Sequence, residues 1–205
     1  MPPKMNIKDV REMNQLFTDL YPYIAEEIMD EFAREEGTIL EIGPFSPGVS
    51  LELARRFPKF RFIAGDDDSE VVEYLSETVR SAKLQNRFTV RGLPKHQLPF
   101  ADNQFDLVIF RGGLFFWENT EKILQEIYRV LKLGGMAAVG GGFGKRAPRE
   151  LVAKIRDKVR EINRKLGKRN LTKEEIVGII HRAKVNATMV EHEHGVWVFM
   201  KKPKA

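Results

Sequence analysis

Thr38 to Arg56 reads TILEIGPFSPGVSLELARR, and its three parts decide the fold. Thr38 to Ile42 is a short apolar run holding one acid, Glu41, with the β-branched residues of a buried strand. GPFSPG, from Gly43 to Gly48, is a Gly/Pro turn. Val49, Leu51, Leu53 and Ala54 then open a helical pattern, with Ser50 near the helix start. Strand, glycine turn and helix form the first half of a βαβ nucleotide-binding unit. Glycine lets backbone approach a ligand, and the helix start offers free N–H groups.

Downstream, Arg61 to Gly65 (RFIAG) reads as a second strand ending in Asp66, Asp67 and Asp68. These acids lie about 20 residues past the turn, the spacing at which a carboxylate grips ribose hydroxyls. One of the three also serves as cap for the helix expected over Glu70 to Ala82. Arg87 to Val90 is a third strand, Phe105 to Phe110 (FDLVIF) a fourth and Met136 to Val139 a fifth. Glu121 to Leu131 is a helix, with Gly134 and Gly135 expected as its glycine C-cap. Thr172 and Glu175 form a capping box for a helix over Lys173 to Ala183. Ala187 to His194 and Val196 to Lys201 make a closing hairpin turning at Gly195. Upstream, Ile7 to Phe32 is helical, divided near Tyr21 because Pro22 lies within it.

The 205 residues suffice for one well-cored α/β domain. No apolar run reaches membrane-spanning length and MPPKMNIKD lacks a signal-peptide core, so the default expectation is a cytoplasmic protein with no membrane partner. With no cysteine, disulfides, thiolate metal sites and cysteine nucleophiles are excluded. The net charge of +5 is concentrated in Lys145 to Arg169, where eleven Lys and Arg face three acids. Leu151, Ile155, Val159, Ile162 and Leu166 recur there at helical spacing. The stretch is an amphipathic helix whose basic face is either simply solvated, the favoured reading, or a polyanion surface. In EHEH, His192 and His194 share one strand face, but no third ligand accompanies them, and no metal site is assigned.

Four stretches together resemble the class I S-adenosylmethionine-dependent methyltransferases of small single-domain type: ILEIG with Gly48, GDDDSE, LPFADNQFDLVIFRGGLFFWEN and EIYRVLKLGGMAAV. The resemblance covers about Ile39 to Lys202. It implies a Rossmann-like three-layer α/β sandwich, with a seven-stranded, mostly parallel sheet and an antiparallel last strand. It also implies S-adenosylmethionine as cofactor, lying across the carboxyl ends of the first four strands. Residues 1–36 would be an N-terminal helical cap and 37–205 the methyltransferase domain.

Carried over by position, Glu41 fixes the first loop, in which Gly43, Pro44, Phe45 and Gly48 approach the cofactor. Asp67, with Asp66 beside it, binds the ribose hydroxyls. Gly92, Leu93 and Pro94 flank the adenine, while Arg111 and Gly112 line the methionine portion. GPFSPG departs from the family's three-glycine pattern. RGLPKHQ lacks the usual acid near the adenine amine, leaving a backbone carbonyl or Gln97 to substitute.

On the acceptor side the candidates are Tyr21, Phe116, Trp117 and Glu118, with His96 a more distant one. An activated sulfonium methyl mainly needs alignment and exclusion of water, so no general base is assigned. The favoured function is methyl transfer to a small-molecule acceptor. RNA or protein methylation through the basic helix 145–169 is less favoured, because no Asn/Asp-Pro-Pro-aromatic motif follows the fourth strand. A non-catalytic cofactor-binding or scaffold protein with a drifted loop is the third reading. Cover for the pocket comes from the N-terminal helices and the segment after GGGFG, or from a second subunit in a homodimer.

Overall fold

The computed structural model describes residues 5–204. Residues 1–4 of the expected cap and Ala205 of the expected main domain lie outside the described residues. In chain order the elements are α1 (Ile7–Leu16), a 3-10 turn (Thr18–Leu20), α2 (Tyr21–Phe32), β1 (Glu36–Ile42), α3 (Gly48–Arg56) and β2 (Lys59–Asp66). They continue with α4 (Ser69–Ser81), β3 (Phe88–Gly92), β4 (Phe105–Arg111), α5 (Thr120–Val130) and β5 (Leu131–Gly142). Last come α6 (Arg149–Lys165), α7 (Lys173–Ala183), β6 (Ala187–His192) and β7 (Gly195–Lys201).

One seven-stranded sheet takes the order β3-β2-β1-β4-β5-β7-β6. β1 pairs in parallel with both β2 and β4, and only β7 runs against the rest, paired with β5 and β6. This is the sheet the sequence predicts. The reversal of strand order between β1 and β4 opens a crevice at their carboxyl ends, where open α/β sheets bind ligands. β4 is buried along its whole length, as an apolar run covered on both faces requires. No helix among the described residues is long and apolar enough to cross a membrane.

Pro22 stands in the first turn of α2, where its missing N–H is harmless, so the predicted break falls between α1 and α2. The Thr172–Glu175 capping box forms on α7, and Asp68 caps α4 by accepting the Glu70 N–H at 2.9 Å. The Gly134–Gly135 cap does not form. α5 ends at Val130 because Leu131 is already extended and paired with Phe105 of β4. Gly134, at φ +73°, instead lies inside β5 and donates to the Lys202 carbonyl at 2.9 Å. Sheet pairing claims the chain three residues before the glycine is reached.

Many cations of the basic stretch meet acids of the N-terminal helices or of α6 itself. Arg146 pairs with Asp30 at 2.8 Å, Lys158 with Glu12 at 3.2 Å and Lys165 with Glu161 at 2.7 Å. Arg146 and Lys158 thereby help to seat α2 and α1.

Candidate functional site

At the end of β1, Glu41 is fully buried, and its Oε2 accepts the Ser50 N–H at 2.7 Å, tying strand to helix α3. Its Oε1 has no partner. Burial pushes the carboxyl up to about 7, against the pull of the Ser50 hydrogen bonds and the Arg111 charge. Gly43 takes φ +102°, and a Cβ there would come within 2.8 Å of the Phe110 ring. The loop's own Phe45 folds inward onto Phe116, with ring centroids 5.3 Å apart, and lies against Gly112 at the end of β4.

The N-terminal helices grip this loop. Asn14 Nδ2 donates to the Pro44 carbonyl at 2.9 Å, and its Oδ1 accepts from the Tyr21 hydroxyl at 2.9 Å and from Arg111 at 3.1 Å. The Tyr21 ring rests on Gly48, where an added Cβ would fall 2.1 Å from the ring. Burial raises the Tyr21 phenol far above its ordinary range, so it stays a neutral donor. Gly48→Ala is therefore expected to cost about 1–3 kcal/mol by overpacking a site that cannot yield. Urea unfolding checks this, and an unchanged midpoint would show that the ring moves freely.

At the end of β2 the two aspartates divide. Asp66 is buried and its Oδ1 accepts the Asp68 N–H at 2.8 Å, whereas the Asp67 side chain is 41% exposed. Lys95, 1% exposed, reaches across to both, lying 2.8 Å from Asp66 Oδ2 and in contact with Asp67 Oδ1. Burial raises the Asp66 carboxyl despite that charge; at Asp67 burial is outweighed by Lys95, and the carboxyl is held low. Leu93 donates to the Asp66 carbonyl at 2.8 Å, and the space beside Gly92 is open. Pro94 is exposed.

Trp117 is buried against Phe110, with centroids 4.8 Å apart, and lies 5.0 Å beneath the Lys95 ammonium. Its ring packs between Phe110 and Lys95 and does not line the cavity beside Gly112. Glu118 is exposed and offers only its carbonyl to His96, at 3.3 Å. Phe116, by contrast, lines a cavity of about 320 Å³ on the far side of Gly112. Met13 of α1 and Phe17 just after it close one wall of that cavity, and the ends of β5 and β7 close another.

His192 and His194 do not share a strand face. His192 ends β6 and meets buried Glu27 at 2.7 Å, while His194 sits in the turn before β7. Among the described residues no group of three or more acids and histidines could hold a metal ion.

The sequence reading names Glu41, Gly43, Pro44, Phe45, Gly48, Asp66, Asp67, Gly92, Leu93, Arg111 and Gly112, which the structure places at or just beyond the carboxyl ends of β1, β2, β3 and β4. It misses Asn14 and Lys95. Asn14 left a signal, a polar residue on the apolar face of α1 between Met13 and Phe17. Lys95 left none. The arrangement offers an exposed carboxylate for a diol, backbone turns at positive φ for close approach, and an adjoining chamber walled by aromatic rings.

A family model described as a methyltransferase domain matches residues 40–139. The chain is 35% identical over 98 residues to the demethylmenaquinone methyltransferase of Porphyromonas gingivalis, covering 47% of this chain and 40% of that one. It is 34% identical over 104 residues to the ubiquinone/menaquinone biosynthesis C-methyltransferase of Geotalea daltonii, covering 50% and 44%. The chain thus spans less than half the length of these curated relatives. A crystal structure described as an S-adenosylmethionine-dependent methyltransferase of Methanococcus maripaludis matches with a TM-score of 0.82. It is 29% identical, and the match covers 100% of this chain and 97% of that one.

Proposed function

Because the chain belongs to the class I S-adenosylmethionine-dependent methyltransferases, we propose that it transfers a methyl group from that cofactor to a small-molecule acceptor. The observation that carries the reading is the exposed Asp67 carboxylate beside the positive-φ turns at Gly43 and Gly112, all at one strand-order reversal.

The residues fit the cofactor by the chemistry of their donors. Asp67 takes the ribose hydroxyls, while Asp66, held by Lys95 and the Asp68 N–H, keeps the strand end in place. Gly92, Leu93 and Pro94 flank the adenine. Gly43, Pro44, Phe45 and Gly48 form the loop against the amino-acid portion, fixed from behind by Glu41. Arg111 and Gly112 stand at the border with the aromatic cavity.

When bound, S-adenosylmethionine supplies an activated sulfonium methyl whose carbon–sulfur bonding pair returns to sulfur as the new bond to the acceptor forms. The chain's part is to align that attack and exclude water, which the buried Phe45, Phe115 and Phe116 do at the border. The cap of residues 1–36 closes the acceptor chamber through Met13 and Phe17.

Calorimetric titration with S-adenosylmethionine and S-adenosylhomocysteine tests the proposal. Micromolar binding is expected, on the order of −8 kcal/mol. No heat up to millimolar ligand would sink it.

A further inference from the structure

We infer that the cavity beyond Gly112 takes an anionic acceptor, a small flat molecule whose carboxylate or equivalent acid group sits against Lys168 and the Arg111 guanidinium. This rests on the methyl-transfer reading of the neighbouring crevice and adds the acceptor's chemical class.

The charge of the cavity wall is one-sided. Arg111, Lys168, Arg169 and His194 line it, and among the described residues no Asp or Glu does. Arg111 is only 5% exposed, yet among the described residues its guanidinium has no carboxylate within ion-pair distance. Its hydrogen bonds go to neutral oxygens, Asn14 Oδ1 at 3.1 Å and the Tyr21 hydroxyl at 3.3 Å, and its Nε has no partner. Glu41, beyond ion-pair distance and with its own carboxyl pushed up to about 7 by burial, balances that charge only in part, and an under-compensated buried cation is costly. The faces of Phe17, Tyr21 and Phe45, 4.2 to 5.3 Å from the guanidinium carbon, offset only part of that cost. An anion supplied by the ligand completes the balance.

Lys168 supports the same reading from the rim. Its ammonium lies 4.8 Å over the Phe115 ring, and partial desolvation against the cavity wall lowers its pKa although the residue as a whole is exposed. Arg169 has a different task. One nitrogen of its guanidinium donates to the Leu114 and Trp117 carbonyls and to Thr120 Oγ1, so it holds the 114–120 segment, while its Nε has no partner and the group adds positive potential to the wall.

The other walls are flat and apolar, formed by Phe17, Phe45, Phe115, Phe116 and Phe143. A volume of about 320 Å³ is at the lower end for small-molecule sites, which suits a one- or two-ring acceptor.

The test is a titration of the protein, with and without saturating S-adenosylhomocysteine, by 2-naphthoate and by its neutral isostere 2-naphthamide. The carboxylate is expected to bind at least 10-fold more tightly, with an advantage that shrinks as salt is raised. Lys168→Met, at an exposed rim position, should remove most of that advantage while S-adenosylhomocysteine binding stays unchanged. Arg111→Met should remove the rest; if it fails to fold, Lys168→Met decides alone.

Equal affinity for the two probes, binding of neither, or a preference unaltered in Lys168→Met would overturn the inference. A second source of the anion is the cofactor's own carboxylate. Should Arg111→Met weaken S-adenosylhomocysteine but not 5′-methylthioadenosine, with naphthoate and naphthamide equal in the wild type, that source is correct and the acceptor reading falls. Absence of any nucleoside binding instead removes the methyl-transfer reading, and is seen separately from the naphthoate result.

Discussion

Asp67→Ala is expected to weaken S-adenosylhomocysteine binding by about 10- to 100-fold, the loss of one or two hydrogen bonds to a charged acceptor. The fold should survive. The Asp67 side chain is 41% exposed, and its ion-pair partner, Lys95, keeps Asp66 at 2.8 Å. Asp66 is the wrong place for this experiment, since it is buried and holds the Asp68 N–H, so its loss mixes stability with binding. Calorimetry gives the affinity and thermal unfolding reports the fold. Unchanged affinity in a folded variant would refute the assignment of Asp67 to the ribose.

The second large effect is on stability and runs against ordinary acid denaturation. Glu41 has a folded pKa raised from 4.5 to about 7 by burial. A raised carboxyl favours the folded state when protonated. Its contribution is therefore full below the unfolded value near 4.5 and lost as pH climbs through 7. The span corresponds to about 3 kcal/mol. Asp66, also raised by burial, acts in the same direction. Carboxyls held low, such as Asp67 and Glu126, titrate beneath this window and oppose it only at stronger acidity.

The urea midpoint of the wild type should thus be higher at pH 5.5 than at pH 8. Glu41→Gln keeps an oxygen for the Ser50 N–H and removes the charge, so it should flatten the profile and stabilise the protein at pH 8. Identical pH profiles for the two proteins would show that Glu41 is already neutralised by Arg111.

What was legible in the sequence was local. The strand–turn–helix of residues 38–56, the aspartates after β2 and the capping box at Thr172 declare themselves by period and spacing, and the structure places each where expected. Misreading began where partners are distant in the chain. Gly134–Gly135 has the local look of a helix stop, but the pairing of Leu131 with Phe105 overrides it. Lys95 looks like any loop lysine, and only contact with Asp66 and Asp67, more than 25 residues upstream, makes it a buried cation. Trp117 stands beside Phe116 in the chain, yet its ring packs on Phe110 and under Lys95, contacts that local spacing does not reveal.

The position of β7 has a consequence for synthesis. It inserts between β5 and β6, which precede it in the chain, and buries Trp197, Val198 and Phe199 at the centre of that half of the sheet. While residues 195–201 are still on the ribosome, β5 has a bare edge and β6 has no neighbour. From the completion of β5 at Gly142 until residues 195–201 emerge, the nascent chain therefore carries an open, adhesive strand edge that needs shielding.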